Sequence, residues 1–92
     1  MKIETLKKEI EHHFKERTPQ KHKGLTKYKT KGKELKDISY EQKYTRKHMY
    51  STIIVNINRL TIQDNGILKI YNYKDDTQHF VRVEDIRTIQ ID

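Results

Sequence analysis

The stretch IIVNINRLTIQDNGILKIYNY, residues 53–73, decides the fold. Ile53, Val55 and Ile57 fall on one side of an extended chain, and Leu60 and Ile62 continue the apolar pattern on the opposite parity. Asp64-Asn65-Gly66 supplies residues that tolerate positive φ in a tight turn, and Leu68, Ile70, Tyr71 and Tyr73 form the return strand. The stretch therefore predicts an antiparallel hairpin. Beyond it, Lys74 to Gln78 turns again, Phe80 to Val83 forms a third strand and Thr88 to Ile91 a fourth, giving a meander.

Two slips of parity interrupt this pattern, one between Ile57 and Leu60 and another between Val83 and Ile89 across Ile86. Side chains in a strand alternate faces, so each slip requires an extra residue or a bend. A bulge near Asn58-Arg59 and a short turn near Glu84-Asp85 would supply them and curl the sheet. Upstream, Ile3, Leu6, Ile10 and Phe14 lie within an arc of about 80° at helical spacing, with Glu4, Lys8, Glu11 and Lys15 opposite. This predicts an amphipathic helix ending near Arg17, because the residue before Pro19 avoids the helical region. The expected class is α+β: an N-terminal helix packed on a bent antiparallel meander of four to five strands. The pattern of a helix followed by short bent strands also resembles Sm-like and SH3-like barrels, which implies a small, partly closed barrel as the alternative.

With 92 residues the chain holds one domain, read as helix over 1–17, a basic segment over 18–48 and a β core over 49–92. Charge follows the same division. Residues 1–49 carry 15 basic and 7 acidic groups, whereas residues 50–92 carry 5 and 6. Between Lys15 and Lys33 eight cations (Lys15, Arg17, Lys21, Lys23, Lys27, Lys29, Lys31, Lys33) face one acid, Glu16. From Leu25 to Lys31, Thr26, Tyr28 and Thr30 alternate with Lys27, Lys29 and Lys31, so the segment is either a solvated basic loop or an edge strand with lysines along one face. Ile38 to Tyr50 reads as a further strand with Ile38, Tyr40, Tyr44, Arg46, His48 and Tyr50 on one side.

The net charge of +7 and pI near 9.6 point to a polyanionic partner. The absence of cysteine excludes disulfides and thiolate chemistry and suits a reducing cytoplasm. No stretch approaches the roughly 18 apolar residues of a membrane span, so no membrane role is expected. Alanine and tryptophan are missing while Lys, Ile and Tyr abound, the bias of AT-rich genomes, including those of many phages and other mobile elements.

Five histidines show no metal-ligand spacing: His12 and His13 are adjacent on the helix, His22 sits among lysines, and His48 and His79 lie in separate strands. A metal-free ribonuclease would need His48 or His79 as acid or base, with Arg46, Arg82 or Lys43 holding a phosphate. No glycine-rich phosphate loop or paired-carboxylate motif accompanies them, so neither an enzyme nor a cofactor is expected. What stands out is a basic surface interleaved with aromatics. Lysine and arginine neutralise phosphates, and Tyr28, Tyr40, Tyr44 and Tyr50 are of the type that stacks on unpaired bases. The expected function is a small accessory protein that binds DNA or RNA through Lys15, Arg17, Lys21, Lys23, Lys27, Tyr28, Lys29, Lys31, Lys33, Lys43, Tyr44, Arg46 and Lys47. The alternative is an inhibitor or regulator that docks on an acidic surface of a host nuclease or CRISPR effector, and exposed sheet edges leave a homodimer open.

Overall fold

A computed structural model describes the backbone of residues 1–14, 19–44 and 48–92, and the side chains of all of these except 44 and 48–50. The chain is α+β, as the apolar patterning requires. Helix α1 (Ile3–Phe14) precedes seven strands: β1 (Gln20–His22), β2 (Leu25–Lys29), β3 (Lys36–Tyr44), β4 (His48–Gln63), β5 (Ile67–Asn72), β6 (Thr77–Arg82) and β7 (Ile86–Ile91). All pair antiparallel in one sheet. The expected end of the helix near Arg17 lies outside the described residues.

The spine of the sheet is β4. Its sixteen residues would extend about 50 Å at the usual rise of about 3.3 Å per residue, yet the longest dimension of the molecule is 40 Å, so the strand bends. Ile57 is paired on both sides, with Lys36 of β3 and Asn72 of β5. Since β2 faces residues 59–63 while β5 faces 57–62, β2 and β3 follow one another along the same edge of β4. The other strands complete the order, with β1 beside β2, β7 beside β3 and β6 beside β5. Among the described residues no pairing joins the outermost strands, so the sheet does not close into the alternative barrel. It has seven strands where four to five were expected, because the basic segment contributes β1 and β2, and because Ile38 to Tyr50 is not one strand. Tyr44 and His48 face each other across β3 and β4, so the chain reverses direction there.

Bulges set which side chains enter the core. The buried residues of β4 are Ile54, Ile57, Leu60 and Ile62, spaced three, three and two apart. The step from Ile57 to Leu60 matches the expected bulge: Ile57 pairs with Asn72 and Arg59 with Tyr71, which leaves Asn58 as the extra residue. The step from Ile54 to Ile57 is a second bulge that the alternation did not reveal. Asn56 there adopts φ +60°, a left-handed conformation that asparagine accepts more readily than a β-branched residue. Its N–H donates to Asp37 Oδ1 at 3.3 Å, and its carbonyl accepts from the Tyr73 N–H at 2.9 Å. Counting back by twos from Ile57 therefore misplaces Ile53 and Val55, which are 71% and 44% exposed.

A 3₁₀ turn at Val83–Asp85 fills the bend expected near Glu84-Asp85, and the hairpin turn at Asp64-Asn65-Gly66 uses Gly66 at φ +92°. Leu6, Ile10 and Phe14 bury the helix stripe against the inner face of the sheet, near β2 and the 3₁₀ turn. They join Tyr28, Ile38, Tyr40, the four β4 residues, Leu68, Ile70, Val81, Val83, Ile86 and Ile91 in one core. With the helix on the inner side, the outer face of β1, β2, β4, β5 and β6 is left uncovered by it.

Candidate nucleic-acid interface

Alternation fixes what that outer face carries. In β2 the inward residues are Thr26 and Tyr28, so Lys27 and Lys29 point outward and are exposed. Leu60 and Ile62 turn Arg59 and Thr61 outward, and Leu68 and Ile70 do the same for Lys69 and Tyr71. Pairing then aligns two rows across the strands. One runs Gln20, Lys27, Thr61, Lys69, Phe80; the other runs Lys29, Arg59, Tyr71, Gln78. Four cations and two aromatic rings share these rows with no acid among them. A shallow depression of about 230 Å³ lies between them, with Gln20, Lys27, Arg59, Lys69, Tyr71 and Gln78 in its lining. Strand geometry sets the cations about 7 Å apart along a strand and about 10 Å apart two strands across.

The rings and cations are interleaved in space as well as in sequence. The Arg59 guanidinium lies 4.0 Å from the Tyr71 ring centroid, and the Lys69 ammonium lies 5.9 Å from that of Phe80. Tyr71 is held from its other end by its hydroxyl, which donates to Asp76 Oδ1 at 2.6 Å. That bond to a carboxylate is the main reason the phenol's pKa is raised, with Arg59 pulling the other way. The ion pairs among the described residues join His13 to Glu9, Lys36 to Glu34 and Arg82 to Glu84; none involves Lys27, Arg59 or Lys69.

Of the residues expected at the site, Lys27 and Lys29 belong to this face. Lys21 is exposed but has the opposite parity to Gln20, Lys23 sits in the β1–β2 turn, and Lys31 and Lys33 occupy the connection after β2. The expected row of lysines is thus cut to two by the end of the strand at Lys29. Lys43 is exposed on the other half of the sheet, in β3. Lys15, Arg17, Arg46 and Lys47 lie outside the described residues, as does the side chain of Tyr44.

Tyr28 is a correction. It was expected on the binding surface, but its side chain faces the helix and is 2% exposed. Burial, with Glu11 and Glu4 nearby, raises its pKa to about 12. Tyr40 is also in the core, and the Tyr50 side chain lies outside the described residues. Among the described residues the Tyr28 hydroxyl is buried with no hydrogen-bond partner, which costs more than the hydroxyl returns. Tyr28→Phe should therefore stabilise the fold by about 1 kcal/mol, measured by urea unfolding at neutral pH. The folded state keeps this phenol protonated to about pH 12, whereas an unfolded tyrosine ionises near pH 10. Its linkage contribution is full below about pH 10 and is lost as pH rises towards 12, and the Phe variant should lack that alkaline loss.

Arg59, Lys69, Tyr71 and Phe80 were missed. Lys69, Tyr71 and Arg59 were within reach, since Leu68 and Ile70 mark the inward positions of β5 and Leu60 and Ile62 those of the last part of β4. Of the ribonuclease candidates, His79 points inward on β6 while Arg82, three residues on, faces outward beside Glu84; Arg46 and the side chain of His48 lie outside the described residues. No group of three or more His, Asp or Glu among the described residues is placed to hold a metal ion. No described helix is long and apolar enough to cross a membrane. No family model, curated protein or solved structure matches this chain.

Proposed function

We propose that the protein is a non-catalytic module that binds nucleic acid on the outer face of β1, β2, β4, β5 and β6. The supporting observation is the pair of cross-strand rows that bring Lys27, Lys29, Arg59 and Lys69 onto one face, with no acidic residue at any position of either row. Four cations spread over three neighbouring strands form a positive surface, and a phosphate chain lying on it releases its condensed counterions. Three to four phosphate contacts to a single strand make affinity fall about 20- to 50-fold between 50 and 200 mM salt. Fluorescence anisotropy with labelled single-stranded DNA, RNA and duplex DNA at these two salt concentrations tests the proposal. Absence of binding to all three at 50 mM would remove it.

A second reading draws on the exposed Ile53 and Val55, on the part of the sheet built from β3, β4 and β7. Apolar side chains open to solvent suit an apolar patch on a protein partner, such as a host nucleic-acid enzyme. Capture of such an enzyme from lysate after nuclease digestion favours this reading; loss of capture on digestion favours nucleic acid.

A further inference from the structure

Phe80 is 60% exposed on a face whose reverse side already builds the core. Among the described residues its strand, β6, pairs only with β5. It stands in the same row as Lys27 and Lys69, with the Lys69 ammonium over the ring at 5.9 Å from its centroid. Tyr71, in the neighbouring row, carries Arg59 on its ring and is tethered through its hydroxyl. The two rings differ in kind: Tyr71 fixes a guanidinium in place, whereas Phe80 presents an apolar ring to solvent next to a phosphate-binding charge. A duplex keeps its base faces stacked inside the helix and offers grooves, which proteins read with an inserted helix or ribbon. Here α1 packs on the inner side, and the outer face is a sheet surface with a shallow depression. An unpaired strand, by contrast, can lay its phosphates on the cations and turn a base onto the ring.

We infer that the ligand of this face is single-stranded nucleic acid, and that Phe80 is the ring on which one of its bases stacks. The inference rests on the binding function proposed above and adds the substrate class. Lys69 neutralises the phosphate next to the stacked base, and the Arg59–Tyr71 pair holds a second cation in register one row away. Such a surface accepts any base, because every base has a π face.

The test compares four labelled 15-mers at 50 mM salt: dT15, rU15, a backbone of the same length lacking bases, and a dT15·dA15 duplex. Wild-type protein should bind dT15 or rU15 at least about 10-fold more tightly than the abasic strand or the duplex. The preferred sugar shows whether the unpaired strand is DNA or RNA. Phe80→Leu, which keeps apolar bulk and strand propensity, should erase the difference between dT15 and the abasic strand while leaving abasic binding unchanged. Phe80→Trp should preserve it and, in a chain with no other tryptophan, should show emission quenched by dT15 but not by the abasic strand. Equal wild-type affinity for dT15 and the abasic strand, duplex binding as tight as single-strand binding, or a Phe80→Leu variant that still discriminates would overturn the inference and leave nucleic-acid binding standing. Failure of wild-type protein to bind any of the four would overturn both.

Discussion

If the outer face binds as proposed, replacing Lys27, Arg59 and Lys69 together by glutamine should lower affinity for a single strand about 100-fold at 0.1 M salt. The size of the effect follows from counterion release. Each phosphate contact contributes about 0.7 to the slope of log K against log salt for a single strand, so three lost contacts reduce the slope by about 2. Extrapolated from 1 M salt, where this contribution vanishes, that is two orders of magnitude at 0.1 M. The substitutions keep long, polar side chains at outward positions and remove like charges from neighbouring strands, so the fold should survive. The contacts sacrificed within the protein are the guanidinium over Tyr71 and the Lys69 ammonium over Phe80, each worth at most about 0.5 to 1 kcal/mol at an exposed site. Salt-series anisotropy reads the slope, and circular dichroism checks the sheet. A triple variant that binds with an unchanged slope would mean that the phosphates lie elsewhere, for instance along Lys21, Lys23, Lys31 and Lys33.

Phe14→Ala should produce the largest loss of stability, about 3 to 5 kcal/mol. The ring closes the apolar stripe of α1 against the sheet and is buried. Removing it forfeits its transfer energy and leaves a cavity that the paired strands behind it cannot readily fill. Alanine is the better helix former, but that gain is at most about 0.7 kcal/mol. For a domain of this size the net loss is a large part of a typical total stability of about 5 to 15 kcal/mol, and it corresponds to a fall in Tm of roughly 15 to 30 °C. Thermal unfolding followed by circular dichroism measures it. A loss below about 1 kcal/mol would show that α1 is not integral to the core.

What could be read in advance follows from how local each signal is. The helix stripe, the Asp64-Asn65-Gly66 hairpin, the bulge at Asn58 and the bend at Glu84-Asp85 are written in spacings of a few residues, and the structure has all four. The bulge at Asn56 was hidden because Ile53, Ile54 and Val55 are all apolar. With three such residues in a row, alternation cannot say which faces inward until the register with β3 is known. Tyr28 was misread for a related reason. A tyrosine between lysines has the composition of a binding surface, but in β2 it alternates with them and so takes the opposite face.

The candidate site is less legible than the fold because it is assembled across strands. The lysine-rich segment drew attention through its density of charge, yet it supplies only Lys27 and Lys29 to the two rows. Arg59, Lys69, Tyr71 and Phe80 come from the half of the chain whose charges nearly balance. Their grouping arises from the pairing of β2 with β4 and of β5 with β4 and β6, which joins residues 27 and 80 in one row.

The two asparagine insertions in β4 have a joint effect that neither has alone. Each shifts the inside–outside phase by one position, and two such shifts cancel. Leu60 and Ile62 thus occupy the same phase relative to Ile54 that an uninterrupted strand would give them. The pair changes curvature while conserving sidedness. Flattening one bulge into regular strand while keeping its extra residue would turn Arg59 towards the helix, whereas flattening both would straighten the spine and keep Arg59 facing out.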